Sequence, residues 1–487
     1  MTTVPAARDD ADPLRAAHLT ADDLIAASGG TLLRRSARPV RGGVADSRLV
    51  TPGCLFVALP GERTDGHRFL AAASAAGASA LLVTRPPGDD ELGALGDVTV
   101  VVVEDALAAL QAIAAAWRNR FAPLVVGITG SVAKTSTKDA TAAVLGVATT
   151  TLRTEGNENN EVGLPLTLLR LTAEHGAAVL EMGMYVGGEI ATLAALARPS
   201  IGIVTAVAPV HLERAGSLAA IENAKAELVE ALPDNGTAIL NRDDPRVRAF
   251  ASRTRATVVT YGLDPDADVS AEAVTGHGLH GMTFDLVARA PRPARLHVEI
   301  GALGRHSVQN ALAAGAAGLT AGLAEEQIAA GLALPWERAS AHRGTVLEAP
   351  GLTILDDTYN ASPPSMVAAL EVLASLPGRP VAVLGDMREL GPGHDESHRA
   401  VGAAAAGVAA ELVVVGAAAA GIASGAVAAG LDARRVHSVA DRAEAVDLLR
   451  TLLRPGDAVL VKASRGAALE TVVDALRAGV EAREPAP

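Results

Sequence analysis

The chain has 487 residues, and at roughly 100–200 residues per domain this length predicts about three domains. A formal net charge of −13 and only ten aromatic residues (5 Phe, 2 Trp and 3 Tyr) argue against a nucleic-acid-binding protein, which needs a basic surface and aromatic platforms for the bases. The single cysteine, Cys54, excludes an intramolecular disulfide and a cysteine-based zinc site.

The N-terminal segment lacks the basic region and apolar run of a signal peptide, so we expect a cytoplasmic location. Residues 401–431 contain one charged residue, Glu411, and could be mistaken for a membrane span. Because most of this segment is Ala and Gly, a buried strand at 412–416 followed by an Ala-rich helix is the better interpretation, and we expect no membrane span.

The first predicted unit is a small α/β domain over residues 1–104. A helix around residues 12–30, with Thr20 as a candidate N-cap, precedes apolar runs of strand length. These runs lie at residues 54–59, 79–84 and 98–103.

The second predicted unit covers residues 105–337 and alternates strands with helices. A helix at 105–121 opens it and a helical stretch at 306–323 lies near its end. Its strand candidates are residues 124–129, 177–183, 201–207, 237–240 and 257–262. Such alternation predicts a parallel sheet flanked by helices.

The third predicted unit, residues 338–487, is a smaller Rossmann-like, doubly wound domain. Its strand candidates are residues 352–357, 380–386, 411–416 and 457–464. Ligands of doubly wound sheets bind at the carboxyl ends of the strands, and polar clusters follow several of these strands.

Only four of the 42 basic residues are lysines, which are Lys134, Lys138, Lys225 and Lys462. Lysine supplies a compact charge and an amine that can lose its proton, neither of which arginine offers. Each lysine is therefore a candidate site residue, although chance retention is the simpler explanation for any one of them.

A candidate phosphate-binding turn follows the strand at 124–129. Its residues are Gly130, Ser131, Val132, Ala133, Lys134, Thr135 and Ser136. Backbone N–H groups at a strand-to-helix turn bind phosphates, while Lys134 would reach the β- and γ-phosphates and the Thr135 hydroxyl would hold Mg²⁺. A strict P-loop has glycine where Ala133 stands, and alanine is expected to fit only with a negative φ. An ordinary polar turn is the alternative.

Two further strand ends suggest a metal site. Glu181 ends the strand at 177–183 and His211 follows the strand at 201–207. A carboxylate and an imidazole at neighbouring strand ends can bind a divalent cation together with phosphate oxygens. Taken singly, each is more often structural.

Other polar groups have two interpretations at this point. Asn157, Asn159 and Asn160 suit a polar, uncharged ligand, or they form a loop that bonds its own backbone. Lys225 lies among glutamates in a predicted helix, where a surface salt bridge is the ordinary interpretation. The remaining candidates stand near helix starts or strand ends: Asn310, Asp356, Asp357, Tyr359, Asn360, Lys462, Ser464 and Arg465.

Taken in order, these motifs resemble the Mur ligase family over nearly the full chain. The resemblance rests on DSR (46–48), FVALPGERTDGHRF (56–69), GSVAKTSTKD, EGNENNEVGLPLTLL, EMG, the HLE segment, the KAE helix, HSVQNALAA and DDTYNASPPS. Within the family, DDTYNASP and GDMREL point to the member that adds D-alanyl-D-alanine to a UDP-N-acetylmuramoyl tripeptide. A DNPR-like segment, which marks the preceding step, is not found.

The resemblance implies three domains, which bind the UDP-sugar substrate (1–104), ATP (105–337) and the dipeptide (338–487). It implies ATP and Mg²⁺ as cofactors, with Lys134 and Thr135 on the phosphates and Thr135, Glu181, His211 and a possibly N-carboxylated Lys225 at the metal. Asn310, Arg343 and Asp357 would contact the nucleotide. The substrate groups would be Ser47, Arg48, Asn159, Asn160, Tyr359, Asn360, Lys462, Ser464 and Arg465.

The implied reaction belongs to peptidoglycan precursor synthesis and is catalysed by a monomer in the cytoplasm. The peptide carboxylate attacks the γ-phosphate of ATP, and the amine of D-alanyl-D-alanine then attacks the acyl phosphate. Two alternatives stay open: a binding-only relative impaired by Ala133, and a ligase of the same fold for another amine or acyl peptide. The third residue of the acceptor peptide is not determined by the sequence.

Overall fold

The protein is described here from a computed structural model that covers residues 18–61, 64–210, 212–336 and 342–479. These residues form three separate β-sheets in chain order, each flanked by helices. Within the described ranges, no helix combines the length and apolar character required to cross a bilayer. The three-sheet α/β architecture agrees with the predicted fold class.

The first sheet contains five short strands, four of them parallel to one another. Its elements are α1 (Ala21–Ser28), β1 (Thr31–Arg34), β2 (Gly43–Val44), β3 (Leu55–Val57), α2 (Leu70–Ala75), β4 (Ala80–Val83), α3 (Asp89–Ala94) and β5 (Thr99–Val102). The order is β1-β5-β4-β3-β2, with β1 antiparallel to β5. Thr20 caps α1 as predicted, but residues 18–20 are not helical.

The second sheet contains nine strands. Its elements are α4 (Ala106–Arg118), β6 (Leu124–Thr129), α5 (Lys134–Gly146), β7 (Thr151–Arg153), α6 (Gly163–Leu168), β8 (Ala177–Glu181), α7 (Glu189–Ala197), β9 (Ile201–Val204), α8 (Leu212–Ala215), α9 (Leu218–Glu230), β10 (Thr237–Asn241), α10 (Pro245–Ala249), β11 (Thr257–Tyr261), β12 (Val269–Gly276), β13 (Met282–Ala288), β14 (Ala294–Ile300), α11 (Arg305–Thr320) and α12 (Glu325–Leu332). The strand order is β14-β13-β12-β11-β10-β9-β6-β8-β7.

The prediction of a parallel second sheet is correct for β6–β12 and wrong for the edge. β12, β13 and β14 form antiparallel pairs that extend the sheet. In β13 and β14 the side chains alternate between buried and more exposed positions. One face of each strand is therefore polar, and a search for continuous apolar runs does not find such strands.

The third sheet contains six strands. Its elements are β15 (Thr345–Ala349), β16 (Leu352–Asp356), α13 (Pro363–Ser375), β17 (Arg379–Gly385), α14 (His394–Ala406), β18 (Glu411–Val415), α15 (Ala420–Ala428), β19 (Val436–Val439), α16 (Arg442–Leu452), β20 (Asp457–Lys462) and α17 (Glu470–Arg477). The order is β15-β16-β20-β17-β18-β19, with β15 antiparallel to β16. The strand and Ala-rich helix expected near 401–431 are β18 and α15.

The register of the second sheet brings three loops to one edge. In the parallel ladders, Ile128 of β6 pairs with Glu181 of β8, and Thr129 pairs with Val204 of β9. The segments that follow β6, β8 and β9 therefore leave the sheet side by side at its carboxyl edge. This is the edge at which a parallel α/β sheet binds ligands.

Candidate active site

The phosphate-binding turn predicted after β6 is held in place by the residues that directly follow β9. Ser131 N donates to Ala206 O at 2.7 Å, and Thr205 Oγ1 donates to Val132 O at 2.6 Å. Gly130 has φ +152°, and a Cβ there would overlap the Thr205 hydroxyl. Glycine is therefore required at position 130, and the turn enters α5 with the first backbone N–H groups of that helix free for an anion.

Ala133 corrects one prediction. We expected alanine there to need a negative φ, but the residue has φ 67° and ψ 0°, in the left-handed region. A Cβ makes this conformation unfavourable by about 1–2 kcal/mol. The strain follows from the sharp reversal between β6 and α5, because Ala133 is the residue immediately before that helix.

Ala133→Gly is therefore expected to stabilise the protein by up to about 1 kcal/mol and to leave the rate of any reaction at this site unchanged or higher. Ala273→Gly is the matched control, because Ala273 is an exposed alanine with φ 52° in β12, far along the sheet. Thermal unfolding and initial rates should be compared for both variants. A large loss of rate in Ala133→Gly alone would contradict this description of the turn.

Lys134 and Thr135 begin α5 beside the turn. Lys134 Nζ donates to Gly130 O at 2.7 Å, which keeps the ammonium folded over the turn. Burial lowers the pKa of Lys134, Glu181 opposes that shift, and Arg343 reinforces it. Glu181 belongs to the second sheet and Arg343 to the segment before the third sheet. Charged groups from both units therefore act on the Lys134 amine.

Glu181 lies at the end of β8 and is almost fully buried. Its Oε2 accepts from Thr135 Oγ1 at 2.9 Å and its Oε1 accepts from Asn159 Nδ2 at 2.8 Å. Among the residues the structure describes, the recorded hydrogen-bond partners of this carboxylate are these two neutral groups. A buried carboxylate with only two neutral donors is a suitable ligand for a cation.

Lys225 is buried in α9, which corrects the interpretation as a surface salt-bridge residue. Burial lowers the pKa of Lys225 well below its ordinary value, and the positive charge of Lys134 adds to the shift. Within the described ranges, its Nζ has no hydrogen-bond or ion-pair partner. The predicted metal ligand His211 lies outside the described residues.

One cavity of about 1380 Å³ brings most of the predicted residues together. It is bounded by the carboxyl edge of the second sheet and by segments of the third sheet. Among the predicted residues, its lining includes Ser131, Val132, Ala133, Lys134, Thr135, Ser136, Asn159, Asn160, Glu181, Lys225, Asn310, Arg343, Asp357, Tyr359, Asn360, Lys462, Ser464 and Arg465.

Aromatic and cationic side chains of the third unit form part of the cavity wall. The Arg343 guanidinium lies 3.7 Å from the centre of the Tyr359 ring, and Arg465 lies 5.5 Å from the same ring. This stack places two cations at a cavity that also contains Lys134. Guanidinium and ammonium groups in these positions are suited to bind phosphate oxygens.

Lys462 has partners within the protein. Its Nζ contacts Asp357 Oδ2 at 2.5 Å and donates to Asn360 O at 2.8 Å, and the side chain is buried. Ser464 Oγ accepts from Arg388 N at 2.9 Å. These contacts fix the loop after β16 to the end of β20, and the predicted contacts of these groups with substrate stay predictions.

The asparagines have different partners within the protein, and their predicted contacts with a ligand stay predictions. Asn159 bonds to Glu181, whereas Asn160 Oδ1 accepts from Gly163 N at 2.8 Å and so holds the start of α6. Asn310 is buried, and its Oδ1 accepts from Thr137 Oγ1 at 3.2 Å, which joins α11 to α5.

Ser47 and Arg48 do not line the cavity. They lie in a short turn after β2 of the first sheet, where Arg48 forms an exposed 2.6 Å ion pair with Asp46. The Arg48 guanidinium and its backbone N–H lower the pKa of Asp46 to about 2. The predicted contact of Ser47 and Arg48 with the uridine group therefore lies on a surface outside the cavity.

Sequence reasoning missed two residues at the cavity. Thr205 supports the phosphate turn, and its position directly after the apolar run of β9 was a usable signal. His306 lines the cavity at the start of α11, where burial lowers its pKa against the opposing charge of Asp357. A single histidine at the start of a helix does not by itself indicate a functional role.

Comparison with known sequences supports the family. The profile of the Mur ligase middle domain matches residues 128–318, that of the Mur ligase glutamate ligase domain matches 342–465, and that of the Mur ligase family catalytic domain matches 40–118. UDP-N-acetylmuramoyl-tripeptide–D-alanyl-D-alanine ligase of Mycobacterium tuberculosis (strain H37Rv) is 41% identical over 468 residues, covering 88% of this chain and 91% of the relative. The Escherichia coli K12 ligase of the same name is 39% identical, covering 89% and 92%.

Comparison with solved structures gives the same result. A crystal structure of MurF from Acinetobacter baumannii superposes with a TM-score of 0.84 at 29% identity, covering 95% of this chain and 99% of that one. MurF from Thermotoga maritima in complex with ADP gives a TM-score of 0.77 at 28% identity, covering 91% and 99%. With the profiles, the identities and the site geometry in agreement, the chain belongs to the Mur ligase family.

Proposed function

We propose that this protein is an ATP-dependent, ADP-forming ligase that joins D-alanyl-D-alanine to UDP-N-acetylmuramoyl-tripeptide in peptidoglycan precursor synthesis. The observation that carries the proposal is the convergence of Lys134, Thr135, Glu181 and Lys225 on one cavity that the third unit also lines. The identity of the two substrates rests on the relatives, which carry that name at 39–41% identity over most of the chain.

The residues present fit the Mg²⁺ that such a ligase needs. Both oxygens of the buried Glu181 face neutral donors, Thr135 and Asn159, which leaves the negative charge of the carboxylate without a protein cation at ion-pair distance in the described part of the chain. We propose Thr135 and Glu181 as ligands, together with His211 and Lys225. Mg²⁺ bound there would neutralise phosphate oxygens as charge builds up in the reaction.

In the first step, the terminal carboxylate of the tripeptide attacks the γ-phosphorus of ATP, and ADP leaves. Lys134 is suited to stabilise the transferring phosphoryl group, because its ammonium already lies over the turn that binds phosphates. Free N–H groups at the start of α5 add fixed positive dipoles that need no reorganisation during the step. The product of this step is an acyl phosphate.

In the second step, the amine of D-alanyl-D-alanine attacks the acyl carbon, which forms the amide and releases phosphate. The amine must lose a proton, and water must be excluded because it would hydrolyse the acyl phosphate. Segments of the third unit line the same cavity as the phosphate turn, and Arg343 and Arg465 both lie close to the Tyr359 ring there. We propose that this unit, residues 338–487, binds the dipeptide and shields the intermediate.

We propose that Lys225 carries an N-carboxyl group in the working enzyme. Burial and the charge of Lys134 lower its pKa and so favour the neutral amine, which can add to CO₂ and release a proton to give a carbamate. The change replaces a buried amine, which has no recorded partner in the described part of the chain, with an anion suited to pair with Lys134 and to bind Mg²⁺. Arginine at this position could not do so.

The remaining assignments follow the family. We propose that residues 1–104 bind the UDP-sugar, with Ser47 and Arg48 near the uridine, and that residues 105–337 bind ATP. Asn310, Arg343 and Asp357 would contact the nucleotide, and Asn159, Asn160, Asn360, Lys462, Ser464 and Arg465 the peptide substrates. The protein is proposed to act as a monomer in the cytoplasm.

The direct test is ADP release by purified protein supplied with ATP, Mg²⁺, the UDP-N-acetylmuramoyl tripeptide and D-alanyl-D-alanine. We expect turnover only when both co-substrates are present. Tight nucleotide binding without turnover would show a binding-only relative, and turnover only with another amine would show a ligase of different specificity. Either result would overturn the proposed reaction.

A further inference from the structure

A second group of potential metal ligands lies in the third unit, at the carboxyl end of β17. Asp386 directly follows that strand, and His394 and His398 stand one helical turn apart at the start of α14. His398 is fully buried, whereas the side chains of Asp386 and His394 are 18% and 31% exposed. The group is thus built into the fold while keeping access to solvent.

The distances within this group match a metal site. Asp386 Oδ1 lies 3.0 Å from His394 Nε2 and 3.2 Å from His398 Nε2. Two ligands of a tetrahedral zinc ion with bonds of about 2.0–2.1 Å are separated by about 3.3 Å. Each imidazole nitrogen therefore lies near the carboxylate oxygen at about the ligand spacing of a single ion, and the three atoms all lie within 4.8 Å of one another.

Both imidazoles have an acceptor on the opposite ring nitrogen. His398 Nδ1 donates to His394 O at 2.8 Å, and His394 Nδ1 lies 3.2 Å from Asp395 Oδ1. His398 therefore carries its proton on Nδ1 and has a lone pair on Nε2, whereas His394 donates to Asp386 through Nε2 and must give up that proton when an ion binds. Histidines that bind metals are commonly oriented in this way by a carboxylate or a backbone carbonyl.

The backbone N–H of Met387 would compete with a metal ion for His398 Nε2. This N–H donates to His398 Nε2 at 3.0 Å, and this hydrogen bond must lengthen when an ion binds. The second oxygen of Asp386 keeps a partner, because Arg388 Nε lies 3.5 Å away.

We propose that Asp386, His394 and His398 bind a transition-metal dication of the zinc class. Two imidazoles and one carboxylate suit Zn²⁺, Co²⁺ or Ni²⁺ better than Mg²⁺ or Ca²⁺, which prefer oxygen ligands. None of the three lines the large cavity, whereas the next residues along the loop, Arg388, Glu389 and Leu390, do. The ion would therefore fix the cavity wall to α14, separately from the site around Glu181.

The test is a Co²⁺ titration of the full chain without nucleotide, followed by visible absorption and by competition with Zn²⁺. We expect one equivalent to give the absorption of nitrogen-bound Co²⁺. His394→Ala should weaken binding by more than the roughly 10–100-fold that loss of an outer partner costs. Circular dichroism of His394→Ala confirms folding, since its partly exposed side chain can be removed without opening the core.

Two control variants test whether the Co²⁺ absorption comes from the site formed by Asp386, His394 and His398. His297→Ala removes a histidine whose Nδ1 lies 2.9 Å from Asp285 without a second imidazole, and it should leave the titration unchanged. Glu181→Gln alters the proposed Mg²⁺ site and should also leave the Co²⁺ spectrum unchanged. Absence of visible absorption at one equivalent, or equal affinity in His394→Ala and the unsubstituted protein, would overturn the proposal whatever the outcome of the ligase assay.

Discussion

Lys225→Ala is expected to lower kcat by about 10²–10³-fold, the loss typical when one group that stabilises transition-state charge is removed. The expected cause is the missing carbamate, which would remove one metal ligand and the anion next to Lys134. The affinity for ATP should change much less, because the phosphate turn and Lys134 do not depend on Lys225 for their hydrogen bonds. Steady-state rates and nucleotide titration measure the two effects separately.

Chemical rescue separates a missing carboxylate from a packing defect. Alanine at position 225 leaves room for a short carboxylic acid, so acetate or formate should restore part of the rate of Lys225→Ala. Lys225→Met fills that space with an apolar chain of similar length and should not respond. A Lys225→Ala variant with nearly full activity would contradict the proposed role of this residue.

The strands around the site could be predicted because their residues form continuous apolar runs. β6, β8 and β9 are buried on both faces, and each has a polar side chain at its last residue or within two residues after it. In a parallel sheet this pattern is enough to place Gly130, Glu181 and Thr205 at one edge. The edge strands β13 and β14 bury only one face, so their alternating residues resemble polar loops.

Side-chain pairing could not be predicted in the same way. Local sequence places Lys225 among glutamates, and only the packing of α9 against the sheet shows that its amine points into the cavity wall. Lys462 and Asp357 are 105 positions apart, so nothing local pairs them. The sign of φ at Ala133 likewise depends on the angle between β6 and α5, which no single residue encodes.

The scarcity of lysine identified one further residue that the proposed reaction does not use. Lys138 is buried in α5 with Asp139, its Nζ lying 2.9 Å from Asp139 Oδ1 and donating to Thr154 O at 2.8 Å. Thr154 in turn accepts from Glu181 N through its hydroxyl at 3.0 Å. Lys138 thus ties the phosphate-binding helix to the segment that holds the backbone of Glu181.

Lys138→Met is expected to lower the free energy of unfolding by about 3–5 kcal/mol, the usual cost of leaving one member of a buried ion pair behind. Arg153 lies 3.2 Å from Asp139 and remains as its partner in this variant. Because the Arg153 side chain is 40% exposed, it compensates for only part of the lost ion pair. Urea unfolding should be followed by the fluorescence of Trp336, which belongs to the same buried cluster as α5, in a Trp117→Phe background.

Arg450→Met supplies the matched control for Lys138→Met. Arg450 lies at the same distance, 2.9 Å, from Asp447, but both side chains are more than half exposed, so its loss should cost at most about 1 kcal/mol. The double variant Lys138→Met/Asp139→Leu should be more stable than Lys138→Met alone, because it removes the buried charge together with its partner. Equal effects of Lys138→Met and Arg450→Met would mean that burial adds nothing to the first pair, and the structural role assigned to Lys138 would then fail.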